Sequence, residues 1–134
     1  MYEIEDVSMS LGISFISAGF PSPAEDFTEL SISLDKHLIQ HPAATFMAYA
    51  NGNSMVGAGI HNGDILIIDR SLDARDGDII IAVLHGEFTV KQLSIVKDAF
   101  FLIPQNPQYS PQKISDDMDF AIWGVVIYSI RKHR

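Results

Sequence analysis

The chain has no cysteine among its 134 residues. Disulfides, thiolate metal ligands and a cysteine nucleophile are therefore excluded, and a reducing compartment fits. A hydrolytic nucleophile here must be serine, threonine or a carboxylate. Basic charge is scarce as well: 9 Lys and Arg stand against 17 Asp and Glu, a formal net charge of −8. Such a surface repels phosphate and lacks the electrostatic attraction that dominates non-specific nucleic-acid binding, so direct binding to nucleic acid is not expected. The basic end Arg131-Lys132-His133-Arg134 is too short to reverse that balance and reads as a solvated terminus without a role. No apolar run approaches the roughly 20 residues of a membrane helix. Met1 to Gly19 carries Glu3, Glu5 and Asp6 where a signal peptide needs positive charge. A cytoplasmic protein without membrane association is the expectation. The chain also lacks internal repeats and low-complexity tracts.

What is present suffices for one core of ordinary size, because 47% of the residues are hydrophobic. Up to about Pro23 small, apolar and turn-forming residues mix without a sustained period, and Gly19-Phe20-Pro21-Ser22-Pro23 imposes an extended or turning backbone. Residues 1–23 are read as a mobile arm and residues 24–134 as the folded domain. A short connector helix is expected over Leu34 to Gln40, with Asp35 near its start and Pro42 beyond its end. Six β-rich runs follow, 45–50, 64–69, 78–84, 87–94, 100–103 and 122–130, separated by Gly, Asn, Asp and Pro. The expected fold class is mainly β. His85-Gly86 between two of the runs signals a two-residue hairpin, because glycine tolerates positive φ. That hairpin puts Lys91 in mid-strand.

Ser54 lies in Asn51-Gly52-Asn53-Ser54-Met55, directly after a strand. A serine at such a corner can expose its hydroxyl while nearby N–H groups point into the same space, as an oxyanion hole requires. Serines in Gly/Asn-rich segments are more often turn or cap residues, so the segment alone does not decide. A serine also needs a base. None of His37, His41, His61, His85 and His133 stands in a catalytic spacing, and each reads as an exposed polar residue. Lys91 is the other candidate base, and it works only if burial lowers its pKa enough to leave some neutral amine. Alternation puts Lys91 on one face with Thr89 and Leu93, while Phe88 and Val90 point the other way. Its own strand supplies only part of an apolar environment. Seen alone, it also reads as an edge-strand lysine that discourages aggregation.

Several segments together resemble the self-cleaving peptidases of the LexA/UmuD group. Ala50-Asn51-Gly52-Asn53-Ser54-Met55 is similar to their nucleophile box, and Gly86-Glu87-Phe88-Thr89-Val90-Lys91-Gln92-Leu93 to their lysine strand. Asn62-Gly63-Asp64 and Asp76-Gly77-Asp78 resemble the two Gly-Asp strand openings between those boxes. Ala18-Gly19-Phe20-Pro21-Ser22-Pro23-Ala24 resembles the cleavage region of the UmuD branch. Ile103-Pro104-Gln105-Asn106 and Gly124-Val125-Val126-Ile127 fit the closing strands. The likeness covers nearly all the chain beyond the first dozen residues. Two departures stand out: Ala18 where UmuD relatives often have Cys, and Asn53 where many have Asp. Ala-Gly is also the bond type cut in the LexA repressor.

The resemblance implies antiparallel sheets of the LexA C-terminal domain type, curled and partly barrel-like, with a mobile N-terminal arm and one short helix. It implies a Ser54/Lys91 dyad that cuts the Ala18-Gly19 bond, with the N–H groups of Asn53 and Ser54 as oxyanion donors and with no cofactor or metal. It further implies a homodimer, a RecA filament on single-stranded DNA that favours the cleavable state, and the catalytic subunit of a translesion polymerase as partner of the shortened form. A LexA-type repressor is not expected, since Met1 to Ala18 cannot hold a helix-turn-helix domain. A type I signal peptidase needs a membrane anchor. The non-enzymatic alternative is a β-rich dimeric interaction module in which Ser54 and Lys91 are relics.

Overall fold

The structure, a computed structural model, describes Ile4–Asp6, Gly12–Ser14 and residues 31–134, with side chains from residue 33 onward. The expected cleavage site, Ala18 and Gly19, lies outside the described residues.

Ten strands are formed among the described residues: β1 (Ile4–Asp6), β2 (Gly12–Ser14), β3 (Ser31–Ser33), β4 (Thr45–Tyr49), β5 (Ile65–Asp69), β6 (Ile79–Leu84), β7 (Glu87–Val96), β8 (Ala99–Ile103), β9 (Gln112–Ile114) and β10 (Phe120–Ile130). Eight of them build one open antiparallel sheet in the order β1-β4-β5-β10-β6-β7-β8-β9, and β2 and β3 pair separately. The mainly β architecture matches the expectation. The helix α1 (Leu34–Leu38) is shorter than expected, because Ile39 turns extended while its N–H still bonds the Asp35 carbonyl.

Two hairpins organise the middle of the sheet. His85 and Gly86 both take positive φ, 51° and 79°, which a two-residue turn of the type I′ kind requires. Lys97 and Asp98 do the same at 50° and 65°. Val96 pairs with Ala99 across this second turn, so β7 and β8 both run further toward the turn than expected. No glycine marked it.

The near-continuous apolar runs of β5 and β6 are explained by burial on both faces. Ile81 packs with Ala48, Met55, Leu66, Ile68 and Val90 on one side. Its neighbours Ile80 and Ala82 pack with Leu93, Leu102 and Val125 on the other. β10 spans both partners, β5 and β6, and its register shifts between Ile122 and Gly124 and again between Val126 and Tyr128. Such bulges bend a strand and increase its twist. Gly124 sits in the first of them, where a Cβ would come within 2.5 Å of Ile68 Cγ2.

β1, β2, β3 and β9 were not expected. β1 and β2 fall inside the segment read as an arm, and β1 pairs with β4. Strands of three residues are too short for alternation to distinguish them from loop.

Candidate active site

Ser54 follows β4 in a loop whose base is closed by backbone bonds between Ala50 N–H and the Asp64 carbonyl (2.8 Å) and between Gly63 N–H and the Ala50 carbonyl (2.7 Å). Gly52, at φ 102°, lets the chain turn and gives its N–H to Asn62 Oδ1. Met55 is buried at 1% exposure and anchors the loop in the core, while Ser54 beside it stays partly exposed. The turn Val56–Ala58 then closes with Ala58 and Ile60 N–H on the Met55 carbonyl.

The second element is β7. Its neighbour β8 pairs with it only over Gln92–Val96, the last pair being Gln92 with Ile103. One step further would set Lys91 against Pro104. The chain turns away at Pro104, and Gln105, which would be the next ladder partner, opposite Val90, leaves the sheet, so the edge of β7 opens at Val90. Gln105 then crosses to the serine loop: its N–H donates to the Ser54 carbonyl (2.8 Å) and its carbonyl accepts from Gly57 N–H (2.7 Å). Asn106 Nδ2 donates to the Asn53 carbonyl (2.8 Å). The serine loop is thereby held beside the open edge.

Lys91 Nζ lies 3.0 Å from Ser54 Oγ, 2.8 Å from Thr89 Oγ1 and 2.9 Å from the Val90 carbonyl. An ammonium has three protons to donate and here meets three acceptors. A neutral amine keeps two donors, which Thr89 and Val90 satisfy, and its lone pair then falls toward Ser54, so that the hydroxyl donates to nitrogen. Burial lowers the Lys91 pKa from its ordinary value. The apolar surroundings that β7 could not supply come across the ladder: Ile80, fully buried, is paired with Lys91. Leu84, Phe88 and Leu102 add apolar walls to a cavity of about 250 Å³ that Thr89 and Lys91 share with the polar residues Glu87, Ser110 and Gln112. An ammonium held there loses part of its hydration, which favours the neutral base.

Asn53 and Ser54 give their carbonyls to Val56, Asn106 and Gln105. Among the described residues no acceptor takes either of their N–H groups.

The histidines stand elsewhere. His41 Nδ1 bonds the buried carboxylate Asp69 Oδ2 at 2.6 Å, and Asp69 Oδ1 accepts from Ser71 Oγ and Ser71 N–H. Serine, histidine and aspartate meet there, but the hydroxyl donates to the carboxylate and not to the imidazole, so the group lacks the order of a triad. His37, His85 and His133 are exposed.

Arg131 corrects the sequence reading. It is no free terminus: its Nε and a terminal nitrogen reach Asp64 at 3.2 and 3.3 Å, and the same nitrogen donates to the Gly59 carbonyl at 2.9 Å. Asp64 is 3% exposed. Burial raises its pKa, but the bonds from Arg131 and from His61 N–H outweigh that and leave it lowered. Thr89, Gln105 and Asn106 were likewise not foreseen as parts of the site. Thr89 alone gave a signal, sharing a strand face with Lys91.

Fold and site together define a class: a β-sheet protein that carries a half-buried serine and lysine in contact at an open strand edge. Residues 10–127 match the family described as Peptidase S24-like, and the chain belongs to that family. It is 41% identical over 119 residues to Protein MucA of Escherichia coli, covering 88% of this chain and 81% of that protein. Protein SamA of Salmonella typhimurium is 44% identical over 117 residues, covering 87% and 81%. LexA repressor 2 of Xanthomonas axonopodis pv. citri is 37% identical over 119 residues, or 89% of this chain and 55% of the repressor.

Proposed function

We propose that the chain is a self-cleaving serine peptidase of the DNA-damage response, in which Ser54 is the nucleophile, Lys91 the base and Ala18-Gly19 the bond that is cut. The observation that carries this reading is the 3.0 Å contact between Lys91 Nζ and Ser54 Oγ, at a lysine whose pKa is lowered by burial. Similarity to MucA, SamA and LexA repressor 2 supports it.

The arm, residues 1–23, presents the Ala18 carbonyl to the cleft of the domain formed by residues 24–134. Neutral Lys91 takes the Ser54 proton as Oγ attacks that carbon. The N–H groups of Asn53 and Ser54 stabilise the oxyanion, a contribution of the kind whose loss typically slows such enzymes about 100- to 1,000-fold. Lys91 passes its proton to the Gly19 nitrogen as the peptide bond breaks, leaving an ester between Ser54 and Ala18. Water then attacks the ester with Lys91 again as base, and the proton returns to Ser54 Oγ. The products are residues 1–18, ending in a carboxylate, and residues 19–134. The cut happens once per chain, so control rests on docking of the arm. A RecA filament on single-stranded DNA promotes docking, and the shortened homodimer serves the catalytic subunit of a translesion polymerase in the cytoplasm.

Intact mass recorded over time for the wild type, Ser54→Ala and Lys91→Ala, from neutral to alkaline pH and with or without RecA on single-stranded DNA, tests the reading. A fragment beginning at Gly19 that forms only when both residues are present is the expected result. If every sample stays whole, the peptidase reading falls and a non-cleaving dimeric interaction module replaces it.

A further inference from the structure

Resting on the peptidase reading, we infer that Gln92 and Gln105 are positioning residues: a side-chain link between them that sets the serine loop against the lysine strand. The reasoning starts from what holds two separate elements in contact. Ser54 belongs to a loop and Lys91 to a strand, and a 3.0 Å contact between their side chains needs both backbones fixed. Gln105 fixes the first directly. Its backbone N–H and carbonyl bond Ser54 and Gly57, and a Cβ at Gly57 would sit 2.6 Å from the Gln105 oxygen, so the two segments meet as closely as glycine allows.

Gln105 itself has left the sheet after Pro104, and no ladder bond to β7 holds it. Its tie to the lysine strand is its side chain, whose Nε2 donates to Gln92 Oε1. Gln92 is the residue next to Lys91 and the last of β7 to pair with β8. Its own Nε2 donates to the Gly77 carbonyl (3.1 Å), and Gly77 N–H is bonded to the Leu93 carbonyl (2.8 Å). The Gln92 amide therefore has both ends used and a fixed orientation. The path from Lys91 to Ser54 runs through one covalent step, one side-chain bond and one backbone bond. Neither glutamine touches the reacting atoms; both act through the placement of Ser54.

A displacement on the order of 1 Å can slow a reaction by about 100-fold. Loosening the serine loop also admits water to Lys91, which relieves its desolvation and raises its pKa. Self-cleavage of the full chain is to be followed by intact mass from neutral to alkaline pH for the wild type, Gln92→Met, Gln105→Met, the double variant, and the pair Gln92→Lys with Gln105→Glu, each with its thermal midpoint recorded. The methionine variants keep length and lose the amide. The expectation is a 10- to 100-fold slower cut in each single variant, a midpoint of the pH profile moved to higher pH, and a double variant no slower than the slower single one. The Lys/Glu pair restores a link and recovers most of the rate. Folded variants that cut like the wild type overturn the inference and leave the peptidase reading intact. Additive losses with an unmoved pH midpoint also overturn it, since general stability then explains them. If the wild type itself never cuts, both fall together.

Discussion

Pro104 stands where the ladder partner of Lys91 would be, one step beyond the pairing of Gln92 with Ile103. The ladder stops there because Gln105, which would come next against Val90, gives its N–H to the Ser54 carbonyl instead, and the Val90 carbonyl is left for the Lys91 amine to bond. The departure of Gln105 from the sheet thus both opens the edge and brings Ser54 to it. An edge strand is ordinarily a liability that needs covering. In this protein the stretch of β7 left without a ladder partner holds Lys91, and the serine loop occupies part of it.

Thr89 tunes the lysine. Its Oγ1 accepts from Lys91 Nζ at 2.8 Å, and a bond to a charged donor is stronger than one to a neutral donor. Thr89→Val should therefore lower the Lys91 pKa further and move the midpoint of the cleavage profile to lower pH. The plateau rate should fall about 10-fold, because the amine loses one of the two bonds that aim its lone pair. A pH series of first-order cleavage rates checks both, and a midpoint moved to higher pH would count against the role given to Thr89.

The buried lysine also links stability to pH. Its folded pKa is lowered, so between the folded and unfolded values the unfolded chain binds the extra proton and stability rises with pH. The cost of burying the charge is fully present below the folded pKa and disappears as pH passes the unfolded value. Lys91→Met carries no such cost. Urea unfolding of the two proteins from pH 7 upward should show the wild type gaining steadily on the variant; parallel curves would mean that Lys91 is not desolvated.

Gly57 meets Gln105 at a distance no side chain permits. Gly57→Ala should force the two backbones apart and carry Ser54 with them, reducing cleavage about 100-fold or more. Circular dichroism should stay that of the wild type, since residue 57 is exposed and outside the sheet. Unchanged cleavage in a folded Gly57→Ala protein would show that the loop position is not critical.

Arg131 secures the base of the serine loop through Asp64 and the Gly59 carbonyl. Arg131→Met leaves a nearly buried carboxylate with the His61 N–H as its remaining partner in this group, at an expected loss of about 1–3 kcal/mol. The lowered pKa of Asp64 means that its contribution is present above the unfolded value, 3.8, and is lost as pH falls through the folded value. The stability gap between wild type and variant should accordingly be full at pH 7 and shrink in acid, as denaturant titrations at several pH values would reveal. A solvated terminus would give no gap at any pH.

The pattern of residues was enough for the mainly β class, because alternation and turn chemistry are local: β4 to β8 and β10 were found within a few residues, and the His85-Gly86 turn was read from its glycine. The Lys97-Asp98 turn was missed since two non-glycine residues adopt positive φ there, a region that aspartate tolerates and that the hairpin imposes on the lysine. Ser54 and Lys91 could be picked out by the likeness of their boxes to a family. Their residue types alone left each with an ordinary explanation.

What the chain's order could not decide was distance. Whether a lysine in mid-strand is a desolvated base depends on Ile80 from β6 and on a serine loop carried to it by Gln105, and none of these is near it in sequence. Arg131 looked like part of a charged tail because its partner Asp64 is separated from it by half the chain. Local chemistry specified the longer strands and the His85-Gly86 turn. Only packing of the sheet decided which groups lose water and which polar atoms face one another, because desolvation and hydrogen bonding depend on neighbours that the fold alone brings together.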